Sequence, residues 1–309
     1  MISAVFRALQ RHATLVMAAC LFLGLAVPPL AAALSPVVFP FAVGTMLLSL
    51  TRLDWRAAGA LLQRPLLPIG IVVAAMVVAP VVVHAVSEVL AAGHPLATGA
   101  TLMASAPPLL SAPAYALLLR VDAALAMVAS VPANLLTPVV MPVMVASLVD
   151  VTVDISAADL AGRLAVMVGC AFGGAWLMRK VMGTARIEHH AHYVDGLMLV
   201  LLCSFGIGVM DGIRDLVVSD PAAVASAALA AFGLSIALQA ATIALGWRLG
   251  ARTTLTAAML MGLRNGILVL GAVGDAAGPE VKLFLIAFQF PLYILPALMR
   301  VVFGRLMGL

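Results

Sequence analysis

Residues 257–278 read AAMLMGLRNGILVLGAVGDAAG, and how this stretch is read decides the fold. It is almost wholly apolar, yet Arg264, Asn265 and Gly266 sit in its first half. A charged side chain at bilayer depth costs about 2.5–3.5 kcal/mol on insertion scales, so it faces protein interior or a water-filled cavity. Asn-Gly is a poor helical dipeptide. Together they mark a membrane helix that stops and restarts around a buried polar knot, an arrangement that carriers place near the bilayer midplane.

The rest of the chain has the composition such a helix needs. Of its 309 residues 64% are hydrophobic and only 10% charged, and the mean hydropathy is +1.19. That excludes a water-soluble domain and points to a polytopic helical membrane protein whose partner is the lipid bilayer. The net charge of +4 carries no implication of nucleic acid, because the positive residues are dispersed between apolar runs. Fifteen of the 17 basic residues are Arg and Ala is abundant, as in a GC-rich bacterial genome, which places the protein in a cell inner membrane. Cys20, Cys170 and Cys203 each fall in an apolar run without metal-ligand spacing, and read as small core hydrophobes with no disulfide framework. Arg7, Arg11 and the run after Ala13 resemble a signal peptide, but the apolar run of about 20 residues is long enough to be a retained first span.

Ten apolar spans are expected, near 13–33, 37–51, 66–90, 96–119, 123–149, 160–182, 194–212, 221–248, 254–276 and 281–304. Thirteen of the 17 basic residues fall at alternate loops or at the termini, among them Arg52, Arg56, Arg120, Arg179, Arg186, Arg252 and Arg305. The opposite loops carry Glu88, Asp150, Asp154, Asp215, Asp220, Asp275 and Glu280. By the positive-inside rule both termini are cytoplasmic, and an even number of spans satisfies that. Ten divide into residues 1–150 and 151–309, five spans each, of opposite topology. The fourth span of each half is irregular. In the first half it reads ATLMASAPPLLSAPAYALLLR (residues 100–120), where Pro107, Pro108 and Pro113 each remove a backbone donor. In the second half it is the stretch around Arg264. Interrupted segments at corresponding positions of two halves point to an inverted-repeat transporter.

In its ten-span plan, proline-broken fourth span, LLTPVVMP segment (Leu135–Pro142) and Gly-Leu-Arg-Asn segment (Gly262–Asn265), the chain resembles the bile acid/sodium symporter superfamily. The TMLLSLTRLDW stretch after the second span adds to the likeness. The resemblance implies an all-α membrane protein of ten helices in two inverted five-helix repeats. Its broken fourth and ninth helices would cross in a core domain beside a panel domain. The family's sodium ligands do not carry over. They fall on Ala75, on Ala112 and Pro113, on Ala126 and Ser130, and on Leu260 and Arg264, of which only Ser130 keeps a hydroxyl. Sodium next to an arginine would also be repelled.

The expectation is therefore that the Arg264 guanidinium stands in place of the sodium charge, or pairs with a carboxylate or sulfonate of the substrate, for which its planar fork of donors is suited. The alternative role for Arg264 is to cap carbonyls at the break. Asn265, Ser111, Pro113, Ser130 and Asn134 join it as candidate substrate-site residues around the crossing, with capping of freed carbonyls as their alternative role. Gln289 and Tyr293, spaced i, i+4 on the last span, share a helix face. They complete the set; an interhelical hydrogen bond is their alternative. Thr45 and Gln239 are weaker cases. His84 is a candidate for proton coupling, against a polar tip at the interface. Asp211 lies near enough in sequence to Arg214 to pair with it, and the Gly169/Gly173 spacing reads as a helix-packing feature. His189, His190 and His192 lack a further metal ligand, so no metal or cofactor is expected.

No catalytic constellation is present in the sequence, and no enzyme activity is expected. The function read from these residues is a secondary transporter of a small or amphipathic organic anion, working by alternating access without the family's sodium sites. Two other readings fit the same residues: an organic acid carrier of the auxin-efflux/malonate type, and a solute-binding sensor that does not transport. The sequence leaves the oligomeric state open.

Overall fold

In the computed structural model the described residues are 13–53, 65–149, 155–273 and 276–308. Arg7, Arg11, Arg56, Asp150, Asp154 and Asp275, which enter the orientation argument, lie outside them. Apart from one isolated bridge the described residues form helices and the turns between them. Among the described residues seven helical stretches are long and apolar enough to cross a membrane: Pro28–Thr51, Leu66–Ala91, Ala123–Leu148, Ala157–Met182, Ala191–Gly208, Pro221–Leu249 and Pro279–Leu306. The described residues are all-helical, and their long apolar helices are those of a multi-pass membrane protein.

In chain order the first half contains α1 (Ala13–Ala26), α2 (Pro28–Leu34), α3 (Val38–Thr51), α4 (Leu66–Val73) and α5 (Ala79–Ala91). It continues with α6 (Pro95–Ser105), α7 (Ala112–Leu118) and α8 (Ala123–Leu148). The second half contains α9 (Ala157–Met182), α10 (Thr184–His189), α11 (Ala191–Gly208), α12 (Ile213–Ser219) and α13 (Pro221–Gly246). It ends with α14 (Ala251–Gly262), α15 (Gly266–Val273), α16 (Pro279–Ala287) and α17 (Gln289–Leu306).

The first two spans divide differently from the expectation of 13–33 and 37–51. Helix α1 ends at Ala26, and Pro28–Thr51 is one apolar helical run of 24 residues. Pro28 and Pro29 sit in the first turn of α2, where a proline's missing N–H costs nothing. Ser35-Pro36 only tightens the run into a 3₁₀ turn (Ser35–Val37) and does not end it.

Contacts group the helices into two units, one of residues 1–53 and 166–224, the other of 54–165 and 225–309. Each draws on both halves of the sequence. In the first unit α11 packs on α1, α2 and α3. Leu48, Ile187 and Val194 form a buried cluster there. Arg179 Nη1 reaches the carbonyls of Thr51 (3.2 Å) and Leu53 (3.1 Å), closing the open end of α3 as a C-terminal cation does. In the second unit α5 packs on α6, α8 on α4, α6, α7 and α14, and α16 on α6, α15 and α17. Leu66, Val89 and Leu245 are each at least 85% exposed. Such apolar outer surface suits lipid and would be costly in water.

Two further corrections concern helix surfaces. Nothing lies within 4 Å of a Cβ built on Gly169 or Gly173, so their spacing packs against no element of this chain among the described residues. Arg214 donates to the carbonyl of Ala26 (3.4 Å) and forms no ion pair with Asp211.

Candidate functional site

Two interrupted helices of the second unit meet at their breaks. Helix α6 stops at Ser105, and Ala106 is extended (φ −65°, ψ 148°) because a residue before proline is pushed out of the helical region. Pro107 and Pro108 supply no N–H, and the chain turns helical again only at Ala112. The other break has no proline. Helix α14 ends at Gly262, Leu263 is extended (φ −98°, ψ 92°), and α15 starts at Gly266. The two breaks pair with each other as an antiparallel bridge between Pro108 and Arg264. Leu109 N–H donates to the Leu263 carbonyl (3.0 Å), and Asn265 N–H donates to the Pro107 carbonyl (2.8 Å). Backbone groups that each helix gave up are thus satisfied by the other, as an apolar interior demands.

Arg264 lies inside this crossing and is fully buried. Its Nε donates to the Met261 carbonyl (2.8 Å), and its Nη1 donates to the carbonyls of Ala75 (2.8 Å) and Ala106 (3.1 Å). Nη2 faces the Met261 sulfur at 3.6 Å, a weak acceptor. The guanidinium therefore ties a third segment to the two broken helices through carbonyl oxygens. No carboxylate among the described residues forms an ion pair with it. Around it Ala75, Met76, Ala79, Ala133 and Met261 form a buried apolar cluster, so the charge is desolvated and held by dipoles alone.

The Ala75 carbonyl is free for this role for a local reason. Between α4 and α5 the helix widens into a π turn over Ala74–Val78. The Ala79 N–H bonds to Ala74 instead of Ala75, and Pro80 has no N–H to offer one residue further on. π turns are frequent at functional positions in helices.

Asparagines carry the next layer. Asn134, fully buried on α8, donates through Nδ2 to the carbonyls of Pro108 and Ser130, both at 2.8 Å. Its Oδ1 accepts from Asn265 Nδ2 (2.9 Å). The Asn265 carbonyl accepts from Leu268 N–H (3.1 Å), so Asn265 opens α15 as its N-cap. Ser235 Oγ donates to the Gly262 carbonyl (2.8 Å), with Gln239 Nε2 behind it at 3.3 Å. Gln289 lies against Gly266, for a Cβ built there would stand 2.8 Å from Gln289 Nε2 and 3.1 Å from Met103 Cε. Ser130 Oγ and Gln289 Oε1 are fully buried and have no hydrogen-bond partner among the described residues.

Of the residues selected from sequence, Arg264, Asn265 and Asn134 form one hydrogen-bonded knot, Ser130 joins it through its carbonyl, and Gln289 packs on the start of α15. Tyr293 follows one turn later on α17 and is 2% exposed. Ser111 and Pro113 sit half-buried where α7 begins, and Ser111 makes no side-chain cap there. Arg264 performs the carbonyl-capping role, and it does so in a fully enclosed position. Sequence reading missed the carbonyls of Ala75, Ala106 and Met261, which no side chain advertises. It also missed Ser235, whose signal was its i, i+4 spacing to Gln239 on one helix face. Thr45 donates to the Ala42 carbonyl of its own helix, and His84 is half-buried on α5.

No protein-family model matches the chain, and no curated protein matches it.

Proposed function

We propose that this protein is a secondary transporter of a small or amphipathic organic anion, in which Arg264 does at the helix crossing what a bound sodium ion does in sodium-coupled carriers. The supporting observation is the set of three carbonyls, from Ala75, Ala106 and Met261, that converge on one buried guanidinium. A cation held by backbone oxygens is how an ion would brace two broken helices; here the cation is covalently part of the chain and cannot leave. Transport is then independent of sodium, either uncoupled or coupled to protons. With α1 and the pairs α6/α7 and α14/α15 counted as spans, the seven long helices become ten, as two inverted halves require. The two contact units are the counterparts of a panel and a core. Both termini are cytoplasmic in an inner membrane, by the loop charges.

The uncompensated charge favours an anionic substrate. With no carboxylate among the described residues paired to Arg264, the crossing keeps a net positive field at a depth where charge is poorly screened. The buried Ser130 hydroxyl and Gln289 amide oxygen are polar groups with capacity left for a solute. Movement of the crossing relative to the rest of the protein would open the site to each side in turn. Arg264 acts on the solute through this field, or directly when the crossing opens.

The test is uptake into proteoliposomes loaded with potassium salts and free of sodium, using a panel of labelled carboxylates and sulfonates. The account expects saturable uptake of at least one anion, unchanged by added sodium. Specific binding without flux under any gradient would favour the sensor reading instead.

A further inference from the structure

The first unit contains a feature unrelated to the crossing. Cys20 on α1 and Cys203 on α11, far apart in sequence, are side-chain neighbours. Both are half-buried. The helices that carry them approach unusually closely one turn further along. A Cβ built on Gly24 would stand 2.8 Å from the carbonyl oxygen of Ile207 and 3.1 Å from its Cα. Gly24 follows Cys20 by four residues and Ile207 follows Cys203 by four, so the helices run parallel and the two pairs lie on the same seam. A glycine that lets backbones touch draws the adjacent turn close as well, and a disulfide needs a Cα separation of about 4.4–6.8 Å.

We infer that Cys20 and Cys203 are a redox modification site, a dithiol that closes reversibly into a disulfide stapling α1 to α11. Each sulfur loses one hydrogen, the S–S bond forms, and two electrons with two protons pass to an oxidant. The pair lies inside apolar helices, so the oxidant has to be a lipid-soluble two-electron acceptor. A quinone, which becomes its quinol, meets both conditions. Reduction by a dithiol reverses the step. Cys170, exposed on α9, is a natural internal contrast.

The experiment uses the full chain carrying Cys170→Ser, reduced and reconstituted in lipid. It is treated with a fully substituted benzoquinone, which oxidises thiols without adding to them. The expected result is that titratable thiols fall from two to none, with a mass loss of about 2 Da and recovery on adding dithiothreitol. Peptide mapping should join the fragments of Cys20 and Cys203 within one chain. A second probe guards against poor access: phenylarsine oxide bridges two neighbouring thiols and should block both from labelling. In the Cys203→Ser chain it should leave Cys20 labelled after washing. Two thiols still titrating after both treatments would overturn the inference, and so would a disulfide found only between chains.

Discussion

With Arg264 changed to alanine, the carbonyls of Ala75, Ala106 and Met261 lose their common donor in an interior surrounded by lipid. Leaving such groups unpaired, with a void where the guanidinium stood, should cost about 3–5 kcal/mol, read as lost stability on unfolding in detergent. Arg264→Lys keeps the charge but not the planar fork, so it should recover part of that loss and not all of it. Asn134→Ala removes the donor to Pro108 and the acceptor for Asn265, at a cost of about 1–3 kcal/mol. Gly266→Ala separates site from scaffold. The atoms nearest the new Cβ are the flexible ends of Gln289 and Met103, so stability should fall by less than about 1.5 kcal/mol. The displaced Gln289 amide should nevertheless lower uptake severalfold if it faces the solute. Arg264 and the asparagines were legible in the sequence because charge and amides stand out in an apolar run. Their partners were not, since a backbone carbonyl is the same on every residue and only the tertiary crossing selects three of them.

Helix interruptions decide where that crossing forms. Pro107 and Pro108 announce the first break through missing donors. The second has only Asn-Gly and the other break to pair with, so its exact turn emerges from tertiary bonding. The π turn before Pro80 belongs to the same set. Replacing an internal helix proline by alanine ordinarily stabilises a helix by about 3 kcal/mol. Here Pro80→Ala supplies an N–H that competes with Arg264 for the Ala75 carbonyl. The unfolding midpoint should therefore show no gain, and a rise of the ordinary size would mean that the π turn has no part in holding Arg264. Gly24 makes a similar point in the first unit. Its Cβ would meet backbone of Ile207, which cannot swing aside, so Gly24→Ala should cost about 1–3 kcal/mol, more than Gly266→Ala. The break at Val27 was hidden from sequence reading by two proline motifs close together. Pro28-Pro29 starts a helix, Ser35-Pro36 only tightens one, and composition does not tell them apart. The Gly169/Gly173 spacing finds no neighbour among the described residues: small residues permit close packing, but the spacing alone does not supply the partner.

For the whole molecule, apolar runs and loop charges carried most of what could be read in advance, because the bilayer imposes one length and one polarity on every span. The grouping into contact units was not available from sequence order, since each unit takes helices from both halves. Orientation is testable with single cysteines in a chain lacking its own three. An impermeant maleimide should label Arg186→Cys only from the cytoplasmic side and Asp215→Cys only from the opposite side; the reverse pattern would invert the proposed topology. The central claim is that a tethered guanidinium has taken over the work of a sodium ion. It is tested most directly by unfolding the purified wild-type protein across a series of sodium concentrations, against potassium at matched ionic strength. An ion that binds only the folded state raises stability by mass action. The account predicts the same midpoint in both salts at every concentration. A saturable rise specific to sodium would contradict it and return the crossing to an ion-binding site.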